Sequence, residues 1–250
     1  MDPFSFAPIA ALFNIAYAAV ETLASLATPI AGTAAAALAV VALTILVRAA
    51  LIPVGASQVK AEWTRRRLAP KLRALQRRYH KNPQLLQQKS MELYKRENVS
   101  MFAGVLPALA QAPVLSLVYA LFLRTTVDGQ ANALLTEHLF GTPLGSSFAH
   151  LVASGVLWPG LGTFGALFAI MAATAWISRR VALRWAMPGA RPAAGVARLL
   201  SWLPFASVIF AAFVPLAATL YLATTTLWTL IERALLRRRY WRIQAHDELS

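Results

Sequence analysis

Arg48 stands inside the apolar run Leu43-Thr-Ile-Leu-Val-Arg48-Ala-Ala-Leu-Ile-Pro53. A guanidinium in the middle of a bilayer costs from about 3 to more than about 10 kcal/mol, depending on the reference state. A chain keeps such a charge where a wet, polar cavity receives it, or where the side chain snorkels to the interface. Apolar residues continue past it to Val54, which argues against a span that simply stops at the arginine. Gln111 is a second polar side chain within an apolar stretch, and Thr44, Ser116, Thr174 and Thr225 bring hydroxyls to similar positions. A fixed cation with amide and hydroxyl groups can hydrate a passing polar segment; it has no evident means of making or breaking a bond. Each of these residues also has a plainer reading: Gln111 as a helix-to-helix hydrogen bonder and the threonines as packing residues.

Catalytic motifs are missing. The sequence has neither a Gly-rich phosphate loop ending in Gly-Lys-Ser/Thr nor a His-Glu-x-x-His zinc motif. Ser154-Gly155 has no histidine partner within an apolar segment, because His80, His138, His150 and His246 all fall in loops or near ends. Cys is absent, which excludes disulfides, thiol catalysis and a lipid anchor on cysteine. The expectation is a protein that is not an enzyme and needs no metal or cofactor.

The elements that hold these residues belong to a membrane. Of 250 residues, 58% are hydrophobic and 14% charged, with a mean hydropathy of +0.55. The opening Met-Asp-Pro-Phe-Ser-Phe has no basic n-region and reads as neither a secretory signal nor a transit peptide. Residues 1–32 space Ile9, Leu12, Phe13, Tyr17, Val20 and Leu23 as an extracytoplasmic amphipathic helix lying in the interface, with a degenerate first span as the alternative. One span needs about 20 apolar residues. Spans are expected at 33–55, 101–124 and 160–178, separated by a polar block (56–100), a mixed extracytoplasmic segment (125–159) and a short basic loop (179–198). The last apolar block is too long for one crossing and is interrupted by Pro204 and Pro215, so it divides into spans at 199–213 and 214–232, before a basic tail at 233–250. The fold class is all-α: a five-span helical bundle with an interfacial helix and a cytoplasmic helical hairpin.

Charge orients the bundle. The net charge is +14, and of 24 Lys and Arg only Arg48 and Arg124 fall outside the polar block, the basic loop and the tail. Five spans put all three basic segments on one side, which the positive-inside rule makes cytoplasmic. The N-terminus is then outside, the C-terminus inside, and the expected location is a plasma membrane crossed several times. Topology accounts for most of the charge without nucleic acid, leaving ribosomal RNA or anionic lipid as partners for the large loop. Within that loop Leu68, Leu72, Leu75 and Tyr79 make one helical stripe, Asn82-Pro83 signals a turn, and Leu85, Leu86, Met91 and Tyr94 supply a weaker second set. Two short antiparallel helices follow, either packed only on each other or serving as a docking arm for a ribosome or nascent chain.

These features in order resemble the YidC/Oxa/Alb family of membrane protein insertases. The resemblance rests on the arginine-bearing run around Arg48, on Leu68-Ala-Pro-Lys-Leu-Arg-Ala-Leu-Gln-Arg-Arg-Tyr79, on Asn82-Pro-Gln-Leu-Leu-Gln-Gln88, on Met91-Glu-Leu-Tyr-Lys95, on Gly104-Val-Leu-Pro-Ala-Leu-Ala-Gln-Ala-Pro113, and on Leu203-Pro204 with Pro215 to Tyr221. It implies a short, five-span bacterial form acting as an insertase and chaperone. Short hydrophilic tails of substrate proteins would enter a groove open to the cytoplasm and inner leaflet, lined by Arg48, Gln111, Thr44, Ser116, Thr174 and Thr225. It further implies nascent membrane proteins as partners, with a ribosome, a Sec-type translocon and anionic lipids as others, and a functional monomer. The competing reading is a small transporter or channel with a buried arginine; such proteins often carry inverted repeats, and none is visible here.

Overall fold

The computed structural model describes residues 7–97, 99–100, 105–127, 130–156, 158, 160–185, 199 and 201–247. Helix dominates, and helix ends fall where the sequence withdraws a backbone donor or frees a backbone angle. Helix α1 (Ala7–Ala31) stops at Gly32, whose φ of 51° suits a residue without a β-carbon. A 3-10 turn (Gly32–Ala34) leads into α2 (Ala35–Ala50). Leu51 breaks the run, and Pro53 sits in the first turn of α3 (Ile52–Tyr79), where a missing N–H forfeits nothing. Helix α4 (Pro83–Arg96) starts at Asn82, whose side chain accepts the Leu85 N–H at 3.1 Å. After α5 (Val105–Leu123) come two tiny antiparallel hairpins. Strand β1 (Thr126–Val127) pairs with β2 (Gln130–Ala131), and β3 (His138–Leu139) pairs with β4 (Thr142–Pro143). Then follow α6 (Phe148–Ser154), α7 (Gly160–Trp185), α8 (Leu203–Ala211) and α9 (Leu216–Asp247).

Two features depart from the boundaries expected of the sequence. Helix α3 runs unbroken from the apolar Ile52 into the charged arm, so the helix break is at Leu51 and the arm's first helix is long rather than short. Pro53 permits this because it occupies the first turn, where its missing N–H forfeits nothing, and Pro70 is accommodated within the same helix. Helix α9 likewise carries the basic tail as far as Asp247 without interruption, while the turn that separates it from α8 covers 212–215. Among the described residues, two stretches are long and apolar enough to cross a bilayer: Ala11–Ala50, through α1 and α2, and Gly160–Arg184; Val114–Leu123 is a shorter apolar helix.

Helix α9 is central and packs against α2, α3, α5, α7 and α8. Its Leu216, Ala217, Leu220 and Tyr221 join Val40 and Leu43 of α2, Leu121 and Phe122 of α5, and Phe164 of α7 in one core. Helix α1 adds Phe13 and Val20 to it. The outward faces are apolar too, with Leu12, Ile15, Leu26 and Ile30 exposed on α1, Leu161, Ile170 and Ile177 on α7, and Ile209 and Phe210 on α8. So much exposed hydrocarbon would be a liability in water and is the proper surface in lipid.

The hairpin end is tied by backbone hydrogen bonds. Leu216 N–H donates to Ser146 O at 2.9 Å, Ala217 N–H to Leu144 O at 3.0 Å and Ala149 N–H to Ala212 O at 2.9 Å, so the hairpin segment grips the α8–α9 turn. Thr219 Oγ1 donates to Ala211 O at 3.0 Å, satisfying a carbonyl at the end of α8. Asn132, 1% exposed, closes the end of α5: its Nδ2 donates to Leu121 O at 3.1 Å and Arg124 O at 2.9 Å, and its Oδ1 accepts the Leu134 N–H at 3.2 Å. Asn132→Ala leaves these groups buried and unpaired. It should cost about 1–3 kcal/mol and lower the melting temperature in detergent by several degrees, as read by scanning fluorimetry.

Candidate functional site

Arg48 lies one turn before the α2–α3 break and is 7% exposed. Its Nε is buried with no hydrogen-bond partner among the described residues. The groups whose charges and dipoles act on it come from α9: Tyr221, Glu232 and Arg233. Tyr221 is held by an O–H donated to Leu115 O at 3.1 Å, which fastens α9 to α5, and by rings of Tyr119 and Phe122 at 5.8 and 6.1 Å. Glu232 accepts the Trp228 Nε1–H at 2.9 Å.

The remaining residues expected to line a groove are placed differently from one another. Thr44 is fully buried next to the Arg48 turn and donates to Val40 O of its own helix at 2.7 Å. Thr174 is buried on α7 and donates to Ile170 O at 2.8 Å. Ser116 is exposed on α5, and the side chain of Gln111 lies outside the described residues. Thr225 is half-buried on α9. Thr174 and Thr225 meet across a cavity of about 300 Å³ between α7, α8 and α9, which Ser207, Thr226, Thr229 and Arg233 also line. Arg48, Thr44 and Ser116 are not among its walls. Arg233 joins the two regions, since it both lines the cavity and acts electrostatically on Arg48.

Two further residues escaped the sequence reading. Glu232 had a visible signal, an acidic residue directly before the basic tail. Gly55, which leaves the space on α3 that the Glu232 carboxylate fills, had none, because Glu232 is far away in sequence.

The arm extends from the same end as Arg48. Leu68 is fully buried, Leu72, Leu75 and Tyr79 are half-buried along one stripe, and Pro83 is exposed at the tip. Glu97, just past α4, accepts from Lys71 and, at 3.3 Å, from Arg67, closing the arm on α3. Arg237 of α9 grips both carboxylate oxygens of Glu62 on α3, at 2.9 and 3.0 Å, so arm and tail are joined.

A polytopic helical membrane protein with a buried cation at its basic end is the class these observations define. The sequence profile described as 60Kd inner membrane protein matches residues 28–243, and the chain belongs to that family, the YidC/Oxa/Alb family. It is 27% identical over 214 residues to a Membrane protein insertase YidC of Xanthomonas campestris, covering 84% of this chain and 32% of that one. It is 38% identical over 84 residues to the protein of the same name in Clostridium perfringens, covering 34% of this chain and 35% of that one. It is 36% identical over 124 residues to the Inner membrane protein ALBINO3, chloroplastic, of Arabidopsis thaliana, covering 48% of this chain and 26% of that one. The chain thus spans about a third or less of the length of these curated relatives.

The hydrogen bond from Lys71, and then the charges of Lys71 and Arg67, hold the Glu97 carboxyl below the usual carboxylate range. A carboxyl lowered in the folded state contributes above its unfolded value and loses that contribution as pH falls through the folded one. The protection factors of α4 amides, which correct for the intrinsic pH dependence of exchange, should therefore be highest near neutral pH and fall a little as the pH drops through the carboxylate range, and Glu97→Gln should show the lower value throughout.

Proposed function

We propose that this chain is a membrane protein insertase and chaperone. It takes the short hydrophilic tails of substrate proteins into a polar interior at the basic end and releases their apolar helices into lipid. The observation that carries the reading is the buried Arg48, whose Nε has no partner among the described residues, at one end of a bundle whose other end is laced together by backbone hydrogen bonds. Such a half-open interior lowers the dehydration cost of a polar tail without opening a path across the bilayer. Each Leu-sized side chain that then leaves water contributes about 1.5–3 kcal/mol, enough to drive insertion without a nucleotide.

The finer reading is a five-span protein of a bacterial plasma membrane, N-terminus outside and C-terminus cytoplasmic, with α1 in the outer interface. The positive-inside rule and the contact between Arg237 of the tail and Glu62 of the arm support it, because both basic segments then share one side. Arg48, Gln111, Thr44, Ser116, Thr174 and Thr225 are the proposed substrate-facing residues, and Thr174 and Thr225 share a largely apolar cavity between α7, α8 and α9 into which a few hydroxyls and Arg233 are set. The arm bearing Leu68, Leu72, Leu75, Tyr79 and Pro83 is the proposed docking element for nascent chains and a ribosome. A Sec-type translocon and anionic lipids are further proposed partners, and the working unit is a monomer without cofactor.

Arg48→Ala should reduce insertion of single-span substrates into reconstituted vesicles by about tenfold, as expected when a desolvated charge contact worth ~1.4 kcal/mol is lost. Unchanged insertion across several substrates would remove Arg48 from the mechanism.

A further inference from the structure

Glu232 of α9 lies against Gly55 of α3, seven residues beyond Arg48, and helical hydrogen bonds from Leu51 to Val47 and from Gly55 to Leu51 carry the chain between them, so the carboxylate sits about two turns from the guanidinium's backbone. Trp228, one turn earlier on α9, donates Nε1–H to Oε2 at 2.9 Å. Gly55 on α3 leaves the space the carboxylate fills: a β-carbon there would overlap Oε1 and fall 2.9 Å from Cδ. Oε1 itself is buried and accepts nothing among the described residues, just as Nε of Arg48 donates to nothing. Arg233 is the other charged group of α9 that acts on Arg48, with the same sign.

A lone buried guanidinium would select strongly acidic partners, since an uncompensated buried charge is costly and any anion relieves it. A carboxylate nearby removes that demand. One donor, Arg48 Nε, and one acceptor, Glu232 Oε1, then remain unused among the described residues, the two kinds of group that an amide can satisfy. We propose that Glu232 sets charge selectivity: seated against Gly55 and Trp228, it offsets the field of Arg48, so that the site accepts neutral, amide-rich tails as well as acidic ones. The proposal rests on the insertase reading and names the substrate class of that site. Glu232 acts on the tail through the field it shares with Arg48, so it is a specificity residue and not a catalytic one.

The test uses the full chain in lipid vesicles and three single-span substrates that differ only in a tail bearing two Asp, two Asn or two Lys. The readout is the ratio of Asp-tailed to Asn-tailed insertion within each variant, which cancels differences in the amount of folded protein. Glu232→Gln should raise this ratio on the order of three- to tenfold and depress Lys-tailed insertion. Glu232→Asp, which keeps the charge, should stay near the parent ratio. Gly55→Ala keeps the carboxylate but pushes it off α3, and should shift the ratio in the same sense by less; its ratio decides the matter if Glu232→Gln fails to reach the membrane. An unchanged ratio in Glu232→Gln and Gly55→Ala overturns the proposal. Failure of the parent chain to insert any of the three substrates would instead overturn the insertase reading.

Discussion

One charge in an apolar bundle constrains the rest of the structure. Arg48 cannot be paired away cheaply, because a buried ion loses several kcal/mol of hydration that only well-placed partners restore. The groups of favourable sign near it belong to α9, and α9 touches nearly every other long helix. Tyr221 and Glu232 therefore tie the position of the cation to the position of the central helix, while Arg233 adds a like charge beside it. The break at Leu51 completes the arrangement. It starts a new helix whose first turns carry Gly55 up against Glu232, so that the same kink that ends α2 also seats the counter-charge.

The two ends of the bundle are held by different forces, and the difference suits the proposed work. At the hairpin end, backbone groups of 144–149 pair with the α8–α9 turn, and Asn132 pairs with the end of α5. Those bonds cannot be exchanged for a guest without undoing local structure. At the basic end the interactions are between side chains: Arg237 with Glu62, Lys71 and Arg67 with Glu97, Trp228 with Glu232. Charged and hydroxyl groups on flexible stems can trade partners with a polar tail at modest cost, since such pairs are individually weak where solvent reaches them.

Helices and turns were legible in the sequence where a local signal decides them. Asn82-Pro83 marks the start of α4 because an asparagine cap and a proline in the first turn act within a few residues. Pro215 marks the division of the last apolar block for the same kind of reason. Arg48 was legible as an anomaly of composition. What the sequence concealed depends on distant neighbours. Asn132 in a loop gives no hint that it caps α5. Gly55 looks like the end of a span until Glu232 is found in the space beside it. The continuity of α3 across the change from apolar to charged was hidden too, because hydropathy changes at that point and helix propensity does not.

The central claim is a polar interior that opens toward the basic side and is closed toward the other. Because the chain contains no cysteine, single substitutions report access without background. Thr229→Cys places a thiol in the cavity wall, and Phe140→Cys places one on the exposed turn of the second hairpin. The decisive measurement is labelling by a membrane-impermeant maleimide from each side of oriented vesicles. An interior of this kind predicts that Thr229→Cys reacts from one side alone, the side on which the basic tail lies, and Phe140→Cys from the opposite side alone. Reaction of Thr229→Cys from both sides would mean a continuous water path and would contradict it.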